Sequence, residues 1–131
     1  MQNTFHNQNN FPSNPPTTNQ FNLTLIQRLV SVYRLWHGFL PHFPKDSKYT
    51  LGGKIDNLFL ETIEYIIKAS YSDKLEKLIS LKTASTKLDF LKFFLQLSWE
   101  IKSLDSKKYI SISERLDEIG KMIGGWIKSI K

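Results

Sequence analysis

From Phe21 onward the apolar residues return at intervals of three and four. Leu25, Leu29, Val32, Trp36 and Phe39 line one face of a helix, and the spacing predicts a first helix over 23–40. Pro41 and Pro44 stop it, because proline has no backbone donor and pushes the residue before it out of the helical region. A second stripe runs through Leu51, Ile55, Leu58, Thr62, Ile66 and Ala69, with Asp46 or Ser47 placed to cap its start. Asp73 and Glu76 stand at capping-box spacing and open a third helix expected to reach Leu104. Ser111 and Glu114 repeat that spacing ahead of Leu116, Ile119, Ile123, Trp126 and Ile130, which predicts a fourth. Four helices with short connections and no strand-like alternation describe an all-α chain, an antiparallel four-helix bundle over 21–131.

Three features exceed what a lone bundle needs. The second half of the third helix, LDFLKFFLQLSWEI, is apolar at nine of fourteen positions, and at about 100° per residue these side chains run around most of the circumference. Its outer side, with Phe90, Phe93, Phe94 and Leu97, is therefore expected to meet another subunit. Gly120 and Gly124, four apart on the fourth helix, suit a close helix crossing or the same subunit contact, while Glu118, Lys121 and Lys128 exclude a membrane version of that motif. Gly52 and Gly53 each cost a helix about 1 kcal/mol against alanine. That cost points to a close backbone approach, or to a phosphate or partner reaching the helix start.

Composition changes the picture mainly at the amino terminus. Residues 1–20 hold nine Asn or Gln, three prolines and no Asp, Glu, Lys or Arg; such a segment cannot bury enough apolar surface to offset its ordering entropy, so a disordered tail is expected. The chain has no cysteine, which removes disulfides, thiol catalysis and iron–sulfur clusters. Neither a secretory pattern nor the ~18 apolar residues of a membrane span is visible. A cytoplasmic protein with no membrane contact is the expectation.

Net charge is +6 with 18 Lys and Arg against 12 Asp and Glu, which favours an anionic partner such as RNA or DNA. On the third helix Lys74, Lys77, Lys92 and Lys102 fall within a sector of about 80°, the first candidate for a basic stripe. Leu81, Leu88 and Leu95 share the sector, so part of it could be packing covered by lysine stems. Arg28, Arg34, Lys45, Lys48 and Lys54 are the next candidates. Catalytic and metal chemistry finds little support: neither His37 nor His42 follows a glutamate at the Glu-x-x-His spacing of a di-iron bundle. TLGGK fits neither a P-loop nor a dinucleotide fingerprint, and the proline-interrupted interval from Arg34 to His42 is a poor match to helical RNases of the HEPN type. The histidines are expected to be half-buried corner residues bonded to backbone, and Trp36, Trp99 and Trp126 to be core. No cofactor, no metal and no enzymatic activity are expected.

Four blocks, LWH, PKDSKYTLGGKIDNLFLETIE, KLDFLKFFLQLSWEIKSLDSKKY and EIGKMIGGW, together resemble the accessory variability determinant (Avd) family of diversity-generating retroelements, and also the related bundle proteins of intervening sequences in bacterial 23S ribosomal RNA. The resemblance spans residues 25–127. It implies a basic homopentameric barrel without catalytic activity that binds the element's reverse transcriptase and associates with template RNA during mutagenic retrohoming. The intervening-sequence likeness leaves a second expectation, a structural RNA-binding bundle with no polymerase partner.

Overall fold

The computed structural model describes residues 17–130. Most of the expected Asn/Gln-rich tail lies outside them. Four long helices carry the fold: α1 (Thr17–Phe39), α2 (Gly53–Ser70), α3 (Lys74–Glu100) and α4 (Ser106–Ser129). The first begins six residues before the expected start, since no proline and only Gly38 interrupt Thr17–Phe39. Each helix packs on its chain neighbour, and α1 closes the ring against α4. Phe21 meets the Trp126 ring at 5.9 Å while Arg28 meets Glu118 at 3.7 Å, so α1 and α4 run antiparallel.

The predicted stripes form the core. Leu25, Leu29, Trp36, Ile55, Leu58, Ile66, Leu81, Leu88, Leu95, Ile112, Leu116 and Ile123 are all buried, and full burial of such side chains stabilises by roughly 1.5–3 kcal/mol each. Trp36 anchors the corner end: its indole N–H donates to Asp56 Oδ1 at 3.0 Å, and its ring lies 5.5 Å from Phe43 and 6.0 Å from Phe59.

Between α1 and α2 the chain turns through a 3-10 turn (Leu40–His42), one helical turn (Lys45–Ser47) and a π-helical turn (Lys48–Gly52). Neither Asp46 nor Ser47 makes a side-chain cap hydrogen bond; Ser47 holds the N-cap position of the π-helical turn without one, and Pro44 and Gly52 hold those of the helical turn and of α2. Of the two adjacent glycines, Gly52 makes the close approach: a Cβ there would sit 2.9 Å from Leu40 Cδ1, whereas Gly53 has nothing within 4 Å.

Two helix ends differ from the sequence reading. Asp73 caps α3 as expected, accepting from the Glu76 backbone N–H at 3.0 Å, but α3 stops at Glu100 rather than near Leu104. The fourth helix starts at Ser106, capped by Asp105, which accepts from the Lys108 N–H at 2.9 Å. Ser111 and Glu114 therefore lie one turn inside α4, where the helix already supplies the backbone partners they would have provided.

Candidate nucleic-acid interface

The proposed stripe on α3 does not form one surface. Leu81, Leu88 and Leu95 are 0%, 2% and 1% exposed, so their sector is the core face of the helix and the lysines flank it. Lys74 is exposed and Lys77 half-buried at one end of α3; Lys92 is half-buried midway and pairs with Asp117 at 3.1 Å. Lys102 lies beyond the other end, about 40 Å from Lys74 at 1.5 Å per residue. Arg28 pairs with Glu118, and Arg34 is exposed on α1.

A different set converges. Ser47 Oγ and Ser103 Oγ are 3.0 Å apart, which ties the α1–α2 corner to the α3–α4 turn, and Lys108 Nζ sits 5.5 Å above the Phe39 ring. This places Lys45, Lys48, Lys54 and Lys102 at one end of the bundle together with Lys107 and Lys108. The Ser111–Glu114 spacing sets the expected helix start beyond Lys107 and Lys108; the run SKKY directly after the Asp105 cap is the signal the sequence carries for them. Lys48 Nζ also lies 5.6 Å over the ring of Tyr49, an exposed aromatic.

Two of the acidic groups at this end, Asp56 and Asp105, are engaged, while Asp46 and Glu100 are exposed. Asp56 accepts from Trp36 and also faces Tyr33, whose phenol is pushed up to about 12, first by burial and then by its hydrogen bond to Asp56 and that carboxylate's charge. The Asp105 carboxyl is held below its ordinary range, first by the Lys108 backbone N–H, with the Lys108 ammonium at 3.5 Å adding to it.

Trp99 departs from the core reading. Trp36 and Trp126 are buried, but Trp99 is 39% exposed. It stacks on Tyr109 at 5.1 Å and 10°, and its N–H donates to Ser106 Oγ at 2.9 Å. His37 and His42 are exposed rather than half-buried, and no hydrogen bond from either is seen among the described residues. His37 stands on α1 beside the buried Trp36 and outside the core stripe, and His42 ends the 3-10 turn, so both rings are exposed, although His37 keeps a tilted contact with Tyr33 at 5.9 Å. Among the described residues no cluster of three His, Asp or Glu side chains could hold a metal ion, and no helix is long and apolar enough to cross a membrane.

The opposite side of α3 carries an apolar face with nothing packed on it among the described residues. Leu75, Ile79, Phe90, Phe93 and Ile101 are exposed, and Phe94 and Leu97 half-buried. Ile79, Thr83, Thr86, Phe90, Phe93 and Leu97 follow a four-three repeat, the seam spacing of packed helices. Thr83 and Thr86 turn their hydroxyls onto their own helix, donating to the carbonyls of Ile79 and Lys82 at 2.9 and 3.1 Å, which lowers the polar demand of the face.

A family model described as bAvd-like matches residues 23–130. The chain belongs to the bAvd-like family. Among solved structures, a protein of unknown function from the S23 ribosomal protein family of Bacteroides thetaiotaomicron shares the fold with a TM-score of 0.75 and 14% identity, over 83% of this chain and 99% of that one. No curated protein matches the chain.

In this bAvd-like bundle the two glycines expected at a subunit contact separate. A Cβ on Gly120 would lie at ordinary contact distance, 3.5 Å from Leu88 Cδ2 and 3.6 Å from Lys92 Nζ, so this glycine faces α3 within the chain. Gly124 has nothing within 4 Å. Phe90, Phe93 and Leu97 share the outer face of α3, while Phe94 leans toward the core and packs edge-on against Phe93 at 5.4 Å.

Proposed function

We propose that this bAvd-like chain is a non-catalytic accessory protein of a diversity-generating retroelement, working in the cytoplasm as a homopentamer that holds the reverse transcriptase and the template RNA or its cDNA together. The observation that carries the reading is the convergence of Lys45, Lys48, Lys54, Lys102, Lys107 and Lys108 at one bundle end of a chain from this family. With +6 per chain, five copies carry roughly +30 on one particle, enough to draw in nucleic acid without reading bases. The apolar outer face of α3 is the surface through which copies meet.

Coexpression with the retroelement's reverse transcriptase and template RNA tests the reading: a stable complex of all three is expected. The sequence resemblance to intervening-sequence proteins leaves one alternative, a structural RNA-binding bundle without a polymerase partner. In that case RNA would copurify and the polymerase would not.

A further inference from the structure

The turn between α3 and α4 keeps a feature that costs the fold something. Its hydrogen bonds are those of a Schellman motif: Ser103 N–H donates to the Ser98 carbonyl at 2.8 Å, and Lys102 N–H to the Trp99 carbonyl at 3.1 Å. The motif puts its penultimate residue in the left-handed region, where glycine is the default because a Cβ crowds the neighbouring carbonyl. Here that residue is Lys102, with φ 68, the only non-glycine residue with positive φ among those described. Its side chain is exposed, so packing does not account for a lysine at this position. Non-glycine residues in such strained conformations gather at functional sites.

Beside it stands Trp99, the one tryptophan that the core leaves exposed. Tyr109 stacks on its ring and Ser106 accepts its N–H, so the indole is held in place before any partner arrives. Trp99, Lys102 and Leu104 border an open recess of about 620 Å³. Of the two carboxylates at its rim, Asp105 caps α4 and pairs with Lys108, while Glu100 accepts from the neutral Gln96 amide at 3.1 Å and keeps its charge.

We propose that this turn is a base-stacking site for single-stranded nucleic acid, in which one unpaired base lies on Trp99 and the adjoining phosphate meets Lys102. An ordered aromatic surface next to a cation is the arrangement that holds unpaired strands without sequence preference, because every base has a π-face and every nucleotide a charge. A duplex keeps its bases stacked inside and offers the indole no face. The proposal rests on the nucleic-acid part of the proposed function and gives it a location and a strand class.

Tryptophan emission reads the site directly, since the other two indoles are buried. The full chain is titrated with ten-nucleotide oligo(U) and oligo(dT), and with a blunt duplex, while anisotropy of a labelled strand follows binding independently. Both single strands should quench the emission, and the duplex should not. Trp99→Leu should weaken single-strand binding by about 5- to 150-fold, the usual range for loss of one stacked base, and leave duplex binding unchanged. Lys102→Gly should keep the quenching, lower the log–log salt slope by about 0.7 and raise the melting temperature. Single strands that bind by anisotropy without quenching, or a Trp99→Leu protein that binds them as tightly as the parent, would overturn the site and leave the nucleic-acid reading standing. If the leucine variant fails to fold, Trp99→Phe takes its place, and the parent's emission decides the matter without any variant. Absence of binding to every strand would overturn both.

Discussion

Replacing both exposed phenylalanines on the outer face of α3, Phe90→Glu with Phe93→Glu, should break the assembly and leave the bundle folded. The two rings are 53% and 60% exposed in the single chain. A phenylalanine buries about 200 Å² when fully covered, so a partner copy can remove roughly 110 and 120 Å² more. At about 25 cal/mol/Å² that is close to 2.7 and 3 kcal/mol, or between 5 and 6 together as an upper bound. Each 1.4 kcal/mol is a factor of ten, so the double change should raise the dissociation constant by about four decades per contact, before the added charge repulsion. Folding should feel little of this, because surface substitutions outside packed regions stay within about 0.5 kcal/mol and glutamate is a good helix former. Light scattering on a sizing column should find the parent at about five times its 15.3 kDa and the variant as a monomer, with equal helical circular dichroism. A variant that keeps the parent's mass would place the contact elsewhere. A parent that stays at 15.3 kDa at every concentration would refute the argument.

Gly124 and Gly125 both have open space where a Cβ would go, so alanine at either should raise the calorimetric melting point through about 1 kcal/mol of helix propensity; a lower melting point would mean that a second copy sits against them. Tyr33 is pushed up from 10.0 to about 12, so the folded chain keeps this proton at pH values where the unfolded chain loses it. The stability it brings is complete below pH 10 and is lost as pH rises toward 12, and Tyr33→Phe should flatten denaturant midpoints across that window. Changing Lys45, Lys102 and Lys107 to Gln should lower the salt slope of single-strand binding by about 2. The same change at Lys74, Lys77 and Lys92 should lower it less, because Lys92 is already paired with Asp117 and the three do not gather at one end.

The stripes at steps of three and four made the four helices readable, because each marks the side of one helix that must leave water. Their ends were harder to read. Lys102 takes the left-handed position usually marked by glycine, so no stop signal stood after Glu100. Asp105 caps α4 with Lys108 three residues on, where a carboxylate or amide would have completed a recognisable box, and Ser111 with Glu114 offered a better match one turn too late. The angles of Lys74, Lys77 and Lys92 on α3 hold, whereas Lys102 lies past the end of the helix, and angle alone does not say which residues of a sector face the core; packing of α2 and α4 decides that for Leu81, Leu88 and Leu95. Convergence of the corner with the α3–α4 turn is a contact between distant segments, Ser47 with Ser103, which local periodicity cannot express. The same limit hid the exposure of Trp99, since an apolar residue in an apolar run carries no mark of the neighbour it lacks.

The most direct test of the central proposal is copurification. The chain, the reverse transcriptase of a diversity-generating retroelement from the genome that encodes it, and that element's template RNA are coexpressed with a tag on the polymerase, and the eluate is weighed by light scattering and probed for RNA. One particle containing the polymerase, several copies of this chain and the RNA is expected, loosened by salt and lost when the six lysines of the bundle end are changed to Gln. Polymerase recovered with its RNA but without this chain would contradict the proposal.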